Sequence, residues 1–173
     1  ILIKSFLLFM IFNYVFVFVP NSAIWRLSIY NTVIPGRPRF TQEDDLDLLF
    51  STHEIANSEQ HPNEYKVLVL GDSSTWGYLL NPEETFSGVI NSSNLETCNK
   101  QPVHVYNLGY PQLSLFKDLI LLQEAMRYEP DLIIWMITLN STLREDKQHP
   151  MVNNNPELAQ ALIDTYRLAI EID

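Results

Sequence analysis

Lys66-Val67-Leu68-Val69-Leu70-Gly71-Asp72-Ser73-Ser74-Thr75-Trp76-Gly77 reads as a buried strand that stops on a Gly-Asp-Ser corner. Val67 to Leu70 are four consecutive apolar residues without alternation, the pattern of a parallel strand covered by helices on both faces. Gly71 permits a sharp exit, and Asp72 and Ser73 hold the turn. Gly77 to Asn81 read as loop, and Pro82, Glu83, Glu84 and Thr85 as the punctuated start of the next helix. The Ser73 hydroxyl is therefore expected at the carboxyl edge of the sheet, where open α/β sheets hold their ligands. Backbone N–H groups there can receive negative charge. Gly-Asp-Ser is also a common turn tripeptide, so its meaning depends on the blocks downstream of it.

Val103 to Tyr106 is a second short β-rich run, ending in the turn Asn107-Leu108-Gly109-Tyr110-Pro111. Leu115 to Tyr128 comes next as a helix, with Ser114 as cap, Pro130 beyond its end, and Leu115, Leu119, Leu122, Ala125 and Met126 as its apolar face. Asp131 to Thr138 reads as a third buried strand that closes on Leu139-Asn140-Ser141. A last helix runs from Pro156 to Ile170, with Asn155 as its cap. Strand, helix, strand, helix, strand predicts an α/β fold with a parallel sheet.

In these blocks the chain resembles the SGNH, or GDSL-type, serine hydrolase superfamily of esterases, lipases and carbohydrate acetylesterases. The first block, Gly-Asp-Ser with a glycine four residues after the serine, is matched by Gly71, Asp72, Ser73 and Gly77. Gly109 matches the second block, a glycine in the turn after the second strand. Asn140 matches the third, but Thr138 stands where the family has Gly and Ser141 where it has Asp. The likeness covers about residues 65 to 142. It implies a three-layer α/β/α, flavodoxin-like arrangement and hydrolysis of acyl or acetyl esters through an acyl-serine intermediate. Ser73 is then the nucleophile, and its own N–H, the N–H of Gly109 and the side-chain amide of Asn140 form the oxyanion hole. The resemblance implies no metal or organic cofactor. The ester is carried by a small molecule, a lipid or a glycan.

Each residue type suits that chemistry. Attack on an ester carbonyl develops charge on oxygen, and each donor fixed where that oxygen will sit is worth on the order of 3 kcal/mol. Glycine at 109 keeps side chains away from its N–H. An asparagine amide donates without titrating. The family's general base is a histidine three residues after an aspartate, near the carboxyl end of its domain. Asp146-Lys147-Gln148-His149 has that spacing but comes at least two secondary elements early. Asp146 and His149 are therefore candidates beside the alternative of a loop histidine. His53, His61 and His104 have no better claim. The chain begins at Ile1 and stops at Asp173 inside the last predicted helix. The expectation is a fragment whose catalytic Asp and His lie further on.

From Ile1 to Val19 only Lys4, Ser5 and Asn13 interrupt sixteen apolar residues. That length is close to what a bilayer core of roughly 30 Å needs, and Asn21-Ser22-Ala23 is a poor cleavage site, so the reading is a single-pass membrane anchor over residues 1–19. A cleaved signal peptide and a buried core helix are the alternatives. Arg26, Arg37 and Arg39 after the span would put the next segment of the chain in the cytoplasm. The resemblance instead implies an extracytoplasmic catalytic domain. Residues 20–64 read as a juxtamembrane linker and 65–173 as the hydrolase-type domain. In the linker, Pro35 to Phe40 is a rigid basic turn, and Glu43 to Asp47 is an acidic helix start, solvated rather than Ca²⁺- or Mg²⁺-binding. Asp47 to Ala56 is a short helix resting Leu48, Leu49, Phe50 and Ile55 on the domain.

A net charge of −10, from 11 basic and 21 acidic residues, disfavours nucleic acid as a partner. Cys98 stands alone, so no internal disulfide reports the compartment. Two other classes stay open: an anchored binding or scaffolding module with a degenerate form of the same fold, and a flavodoxin-like nucleotide binder. The second lacks a phosphate-cradling glycine pattern after the first strand. Without its base the 173-residue chain is expected to show almost no ester turnover. Measurable hydrolysis of a simple ester by this polypeptide would contradict that.

Overall fold

The computed structural model of the protein describes residues 2–17, 45–139 and 149–168. The basic turn at Pro35 to Phe40, Glu43, Asp44, Asn140, Ser141 and Asp146 lie outside the described residues, as do the ends of the expected anchor and of the last expected helix.

Helix α1 (Leu2–Val17) has 16 residues and belongs to a compact unit of its own. At about 1.5 Å per residue it measures about 24 Å, short of a hydrocarbon core of roughly 30 Å. No helix among the described residues is long and apolar enough to cross a membrane. Phe6, Leu7, Leu8, Phe9 and Ile11 on α1 are exposed.

Among the described residues the second unit is built on three parallel strands, β1 (Tyr65–Leu70), β2 (Val103–Asn107) and β3 (Leu132–Trp135), in the order β2-β1-β3. Tyr65 pairs with Val103 and Val69 with Asn107 on one side of β1, and Val67 pairs with Leu132 and Leu70 with Trp135 on the other. Around the sheet lie α2 (Leu46–Thr52), the single turn α3 (Ser73–Trp76), α4 (Phe86–Ser92), α5 (Leu115–Ala125), α6 (Pro150–Asn154) and α7 (Pro156–Tyr166). The unalternating run in β1 has a direct cause. Leu68 and Leu70 face a core shared with Leu49, Phe50, Ile120, Leu121, Met151 and Leu162, while Val67 and Val69 face a smaller one with Val105 and Ile90. Both faces of the central strand are covered, so both must be apolar.

Several expectations change in detail. Leu46, Leu49, Phe50 and Ile55 belong to the same core as Leu68, so residues 46–55 of the expected linker are an integral part of this unit. Asp45 caps α2 by accepting from the Leu48 N–H at 2.8 Å. The third strand stops at Trp135, and Leu132 and Ile133 are 44% and 38% exposed rather than buried, because among the described strands β3 lies at the edge. Asp131 sets its register, with its N–H donating to Lys66 O at 2.9 Å and its Oδ2 accepting from Lys66 N at 2.8 Å.

On α5 the buried face is Phe116, Lys117, Asp118, Ile120, Leu121 and Ala125, which shares Ala125 with the expected face and is otherwise turned by about one residue. Leu119 and Leu122 sit at its margin and Met126 is exposed. Ser114 caps the helix as expected, accepting from Lys117 N at 3.0 Å. The last helix ends at Tyr166 because Arg167 turns left-handed at φ 52°. Asn155 makes no side-chain cap there, and its Nδ2 donates to Met151 O at 2.8 Å instead.

The shifted face of α5 is open to measurement. Leu121→Ala should lower unfolding free energy by about 2–5 kcal/mol, the ordinary cost of a buried leucine. Met126→Ala should change it by about 0.5 kcal/mol or less. Urea denaturation of the two variants checks the order, and comparable losses would restore the other phase.

Candidate active site

The order β2-β1-β3 means that the chain leaves β1 for one neighbour and then crosses to the other side. The crevice beyond the carboxyl ends of β1 and β3 is thus the topological switch point of the sheet. Ser73 enters the rim there as the first residue of α3. Asp72 makes that turn: its Oδ1 accepts from the Ser74 N–H at 2.8 Å and the Ser74 hydroxyl at 2.7 Å. Asp72 is buried and Ser73 half-buried. Gly77 closes the turn in the left-handed region at φ 87°, which glycine adopts without a Cβ clash.

Gly109 lies against this turn. A Cβ built on it would stand 2.4 Å from Trp76 N and 2.8 Å from Thr75 Cβ, so only glycine lets the two loops meet. Asn107 joins them from below. Its Nδ2 donates to Thr75 O at 2.9 Å, and its Oδ1 accepts from the Gly109 N–H at 3.0 Å. Backbone bonds continue the sheet into the loops, from Leu108 N to Val69 O at 2.8 Å, Tyr110 N to Gly71 O at 2.9 Å and Met136 N to Leu70 O at 2.9 Å. The structure thus brings the Ser73 and Gly109 loops together. Asn140, the third expected member, lies outside the described residues.

Beneath the rim is a fully buried lysine. Lys117 Nζ donates to Gly71 O at 3.1 Å, Tyr110 O at 2.7 Å and Gln112 O at 3.1 Å, and stands 2.8 Å from Asp118 Oδ1. Asp118 Oδ2 accepts from Trp135 Nε1 at 2.8 Å. Three carbonyls for three N–H groups match an ammonium, and the carboxylate balances its charge.

The histidines serve the backbone. His149 Nδ1 accepts from the Met151 N–H at 3.1 Å, capping α6, and its Nε2–H faces Pro111 O at 3.3 Å. Burial, with Lys117 adding to it, drives its pKa down to about 4, and the contact with Pro111 opposes the shift. Its buried, capping place differs from a solvated loop histidine, and its expected partner Asp146 lies outside the described residues. His53 repeats the device, accepting from Ile55 N at 3.1 Å and facing Asn107 O at 3.0 Å. His104 stands 3.9 Å from Glu54, whose carboxylate raises its pKa. His61 is exposed. Of the acidic run, Asp45 is a helix cap and Asp47 pairs with Arg127 at 3.3 Å. Among the described residues no group of three or more His, Cys, Asp or Glu side chains could hold a metal ion.

Sequence reasoning passed over Asn107, Lys117 and Asp118. An asparagine two residues before a turn glycine is a usable signal, since its side chain can accept from the backbone two residues on. The Lys-Asp pair carried no signal, because it stands on a helix face that charge alone marks as solvated. Comparison with protein-family models, with curated proteins and with solved structures returns no match.

The depressed pKa of His149 has a consequence for stability. An unfolded histidine titrates near 6.5 and the folded one near 4. As pH falls through this window the unfolded state takes up the proton first, so stability is full above about 6.5 and declines toward 4, by up to about 3 kcal/mol. His149→Asn keeps a cap acceptor and removes the titration. Urea unfolding between pH 7 and 5 should show a shallower decline for the variant, and parallel curves would refute the assignment.

Proposed function

We propose that the protein is a membrane-anchored serine ester hydrolase of the SGNH type. It cleaves acyl or acetyl esters carried by a small molecule, a lipid or a glycan. Ser73 Oγ attacks the ester carbonyl, the bond to the alkoxy group breaks, and the alcohol leaves with a proton. Water then hydrolyses the acyl-serine, releasing the acid and restoring the hydroxyl. The Ser73 and Gly109 N–H groups and the Asn140 amide receive the charge on the carbonyl oxygen. The general base comes from outside the described residues. An apolar span over residues 1–19, of which α1 is the described part, anchors the domain on the extracytoplasmic side.

The single observation that carries this reading is the packing of Gly109 on the Thr75–Trp76 backbone, which sets a bare peptide amide beside the turn that presents Ser73. The position at the switch point of a parallel sheet adds to it. A second reading, an anchored binding module of the same fold, is favoured by one contact: the Gly109 N–H already donates to Asn107 Oδ1. Hydrolysis requires that N–H to be shared with the substrate oxygen.

A fluorophosphonate probe separates the two on protein expressed from its whole reading frame. The hydrolase labels on Ser73, and Ser73→Ala removes at least about 99% of the labelling. Labelling that survives in Ser73→Ala, or none in the parent protein, rejects Ser73 as nucleophile and leaves the binding module.

A further inference from the structure

We propose that Lys117 is a positioning residue for the Ser73 centre, an assignment that rests on the hydrolase reading and adds a second layer to it. Gly71 O, held at 3.1 Å, lies two residues before Ser73, and Tyr110 O, held at 2.7 Å, belongs to the residue after Gly109. One ammonium therefore grips the carbonyl beside each of the two catalytic loops. Its third bond, to Gln112 O at 3.1 Å, holds a non-glycine residue in the left-handed region at φ 69°, a conformation that persists only when its surroundings enforce it. Asp118, adjacent in sequence, ties the end of β3 to the same point through Trp135.

A structural need alone does not explain this choice. Burying a charged pair costs desolvation, and replacing both partners by apolar side chains of similar volume often serves stability as well or better. A methionine at 117 would fill the space but leave Asp118 without its counter-charge. It could not draw three carbonyls from two loops toward one point, which sets the distance between the Ser73 hydroxyl and the Gly109 amide.

Lys117→Met and Ser73→Ala, made in protein from the whole reading frame, test this with the time course of fluorophosphonate labelling at several probe concentrations. The expected result for Lys117→Met is a loss on the order of 100-fold in the limiting rate constant, the scale of a small misplacement of reacting groups, with half-saturating probe concentration changed less than about threefold. A merely structural lysine would lower the fraction of molecules that can be labelled and leave the rate constant of that fraction unchanged, which overturns the proposal. Should Lys117→Met not fold, the parent protein decides. The shielded ammonium of ¹⁵N-labelled Lys117 is expected to give a resonance at neutral pH that shifts when Ser73 is phosphonylated, and an unmoved resonance overturns the proposal. Absent or Ser73-independent labelling of the parent protein is instead the failure of the hydrolase reading, and Lys117 loses its role with it.

Discussion

Lys117 and Asp118 are neighbours in the chain, yet between them they reach the ends of all three described strands. The lysine reaches Gly71 after β1 and Tyr110 after β2, and the aspartate reaches Trp135 at the end of β3. Consecutive residues on a helix point about 100° apart, so one position of α5 can address two parts of the rim. The ion pair between them, at 2.8 Å, makes both burials tolerable. Removing either partner alone would leave an uncompensated charge in the core, at a cost of about 3–5 kcal/mol. The loops beyond β1 and β2 and the end of β3 are consequently tied to neighbouring positions of α5. The single turn of α3, the close approach at Gly109 and the left-handed Gln112 all hang from carbonyls or amides that this pair or Asn107 holds.

The strands were legible because burial on both faces leaves a strong mark. Val67 to Leu70 can be neither a surface strand nor a turn, and the two cores against which they alternate account for every one of them. Ser114, Thr85 and the run Pro82 to Glu84 were legible for a related reason: helix starts need acceptors, and few residue types supply them. The phase of α5 was not. Leu115, Leu119, Leu122, Ala125 and Met126 form a plausible stripe, and so do Phe116, Ile120, Leu121 and Ala125. Composition favours the first only if Lys117 and Asp118 are assumed to face water. Tertiary bonding reverses that assumption, since an ammonium with three carbonyl partners is stable where a bare one is not. The open exposure of Leu132 and Ile133 was equally hidden, because an apolar strand reads the same at an edge as in the middle.

In the candidate site, positions were more legible than partnerships. Ser73 and Gly109 could be placed at loop tips after parallel strands, and loops after adjacent parallel strands emerge on one rim. That they touch backbone to backbone depends on Asn107, whose amide spans from Thr75 O to the Gly109 N–H. A turn asparagine gives no hint of a partner 32 residues away. His53 and His149 show the opposite difficulty. Histidine suggests chemistry, but each here accepts a backbone N–H two residues on, the work more often done by Asn or Ser.

The proposed oxyanion donors do not separate a hydrolase from a binding module, but a base would. The bond from Gly109 N–H to Asn107 Oδ1 is a neutral one, with a net worth of about 1 kcal/mol. A developing oxyanion is worth on the order of 3 kcal/mol to each donor, so it can claim a share of that N–H without dismantling the turn. Histidine is different. For His149 to accept the serine proton, Nδ1 must give up the Met151 N–H, or the tautomer must invert and lose the bonds to both Met151 N–H and Pro111 O. Either change uncaps α6 or frees the loop that carries Gly109, and burial makes the resulting imidazolium costly. His53 would lose its grip on Asn107 O in the same way. A rim held together by its histidines cannot also spend them on proton transfer, so catalysis at Ser73 requires a base that has no part in the packing.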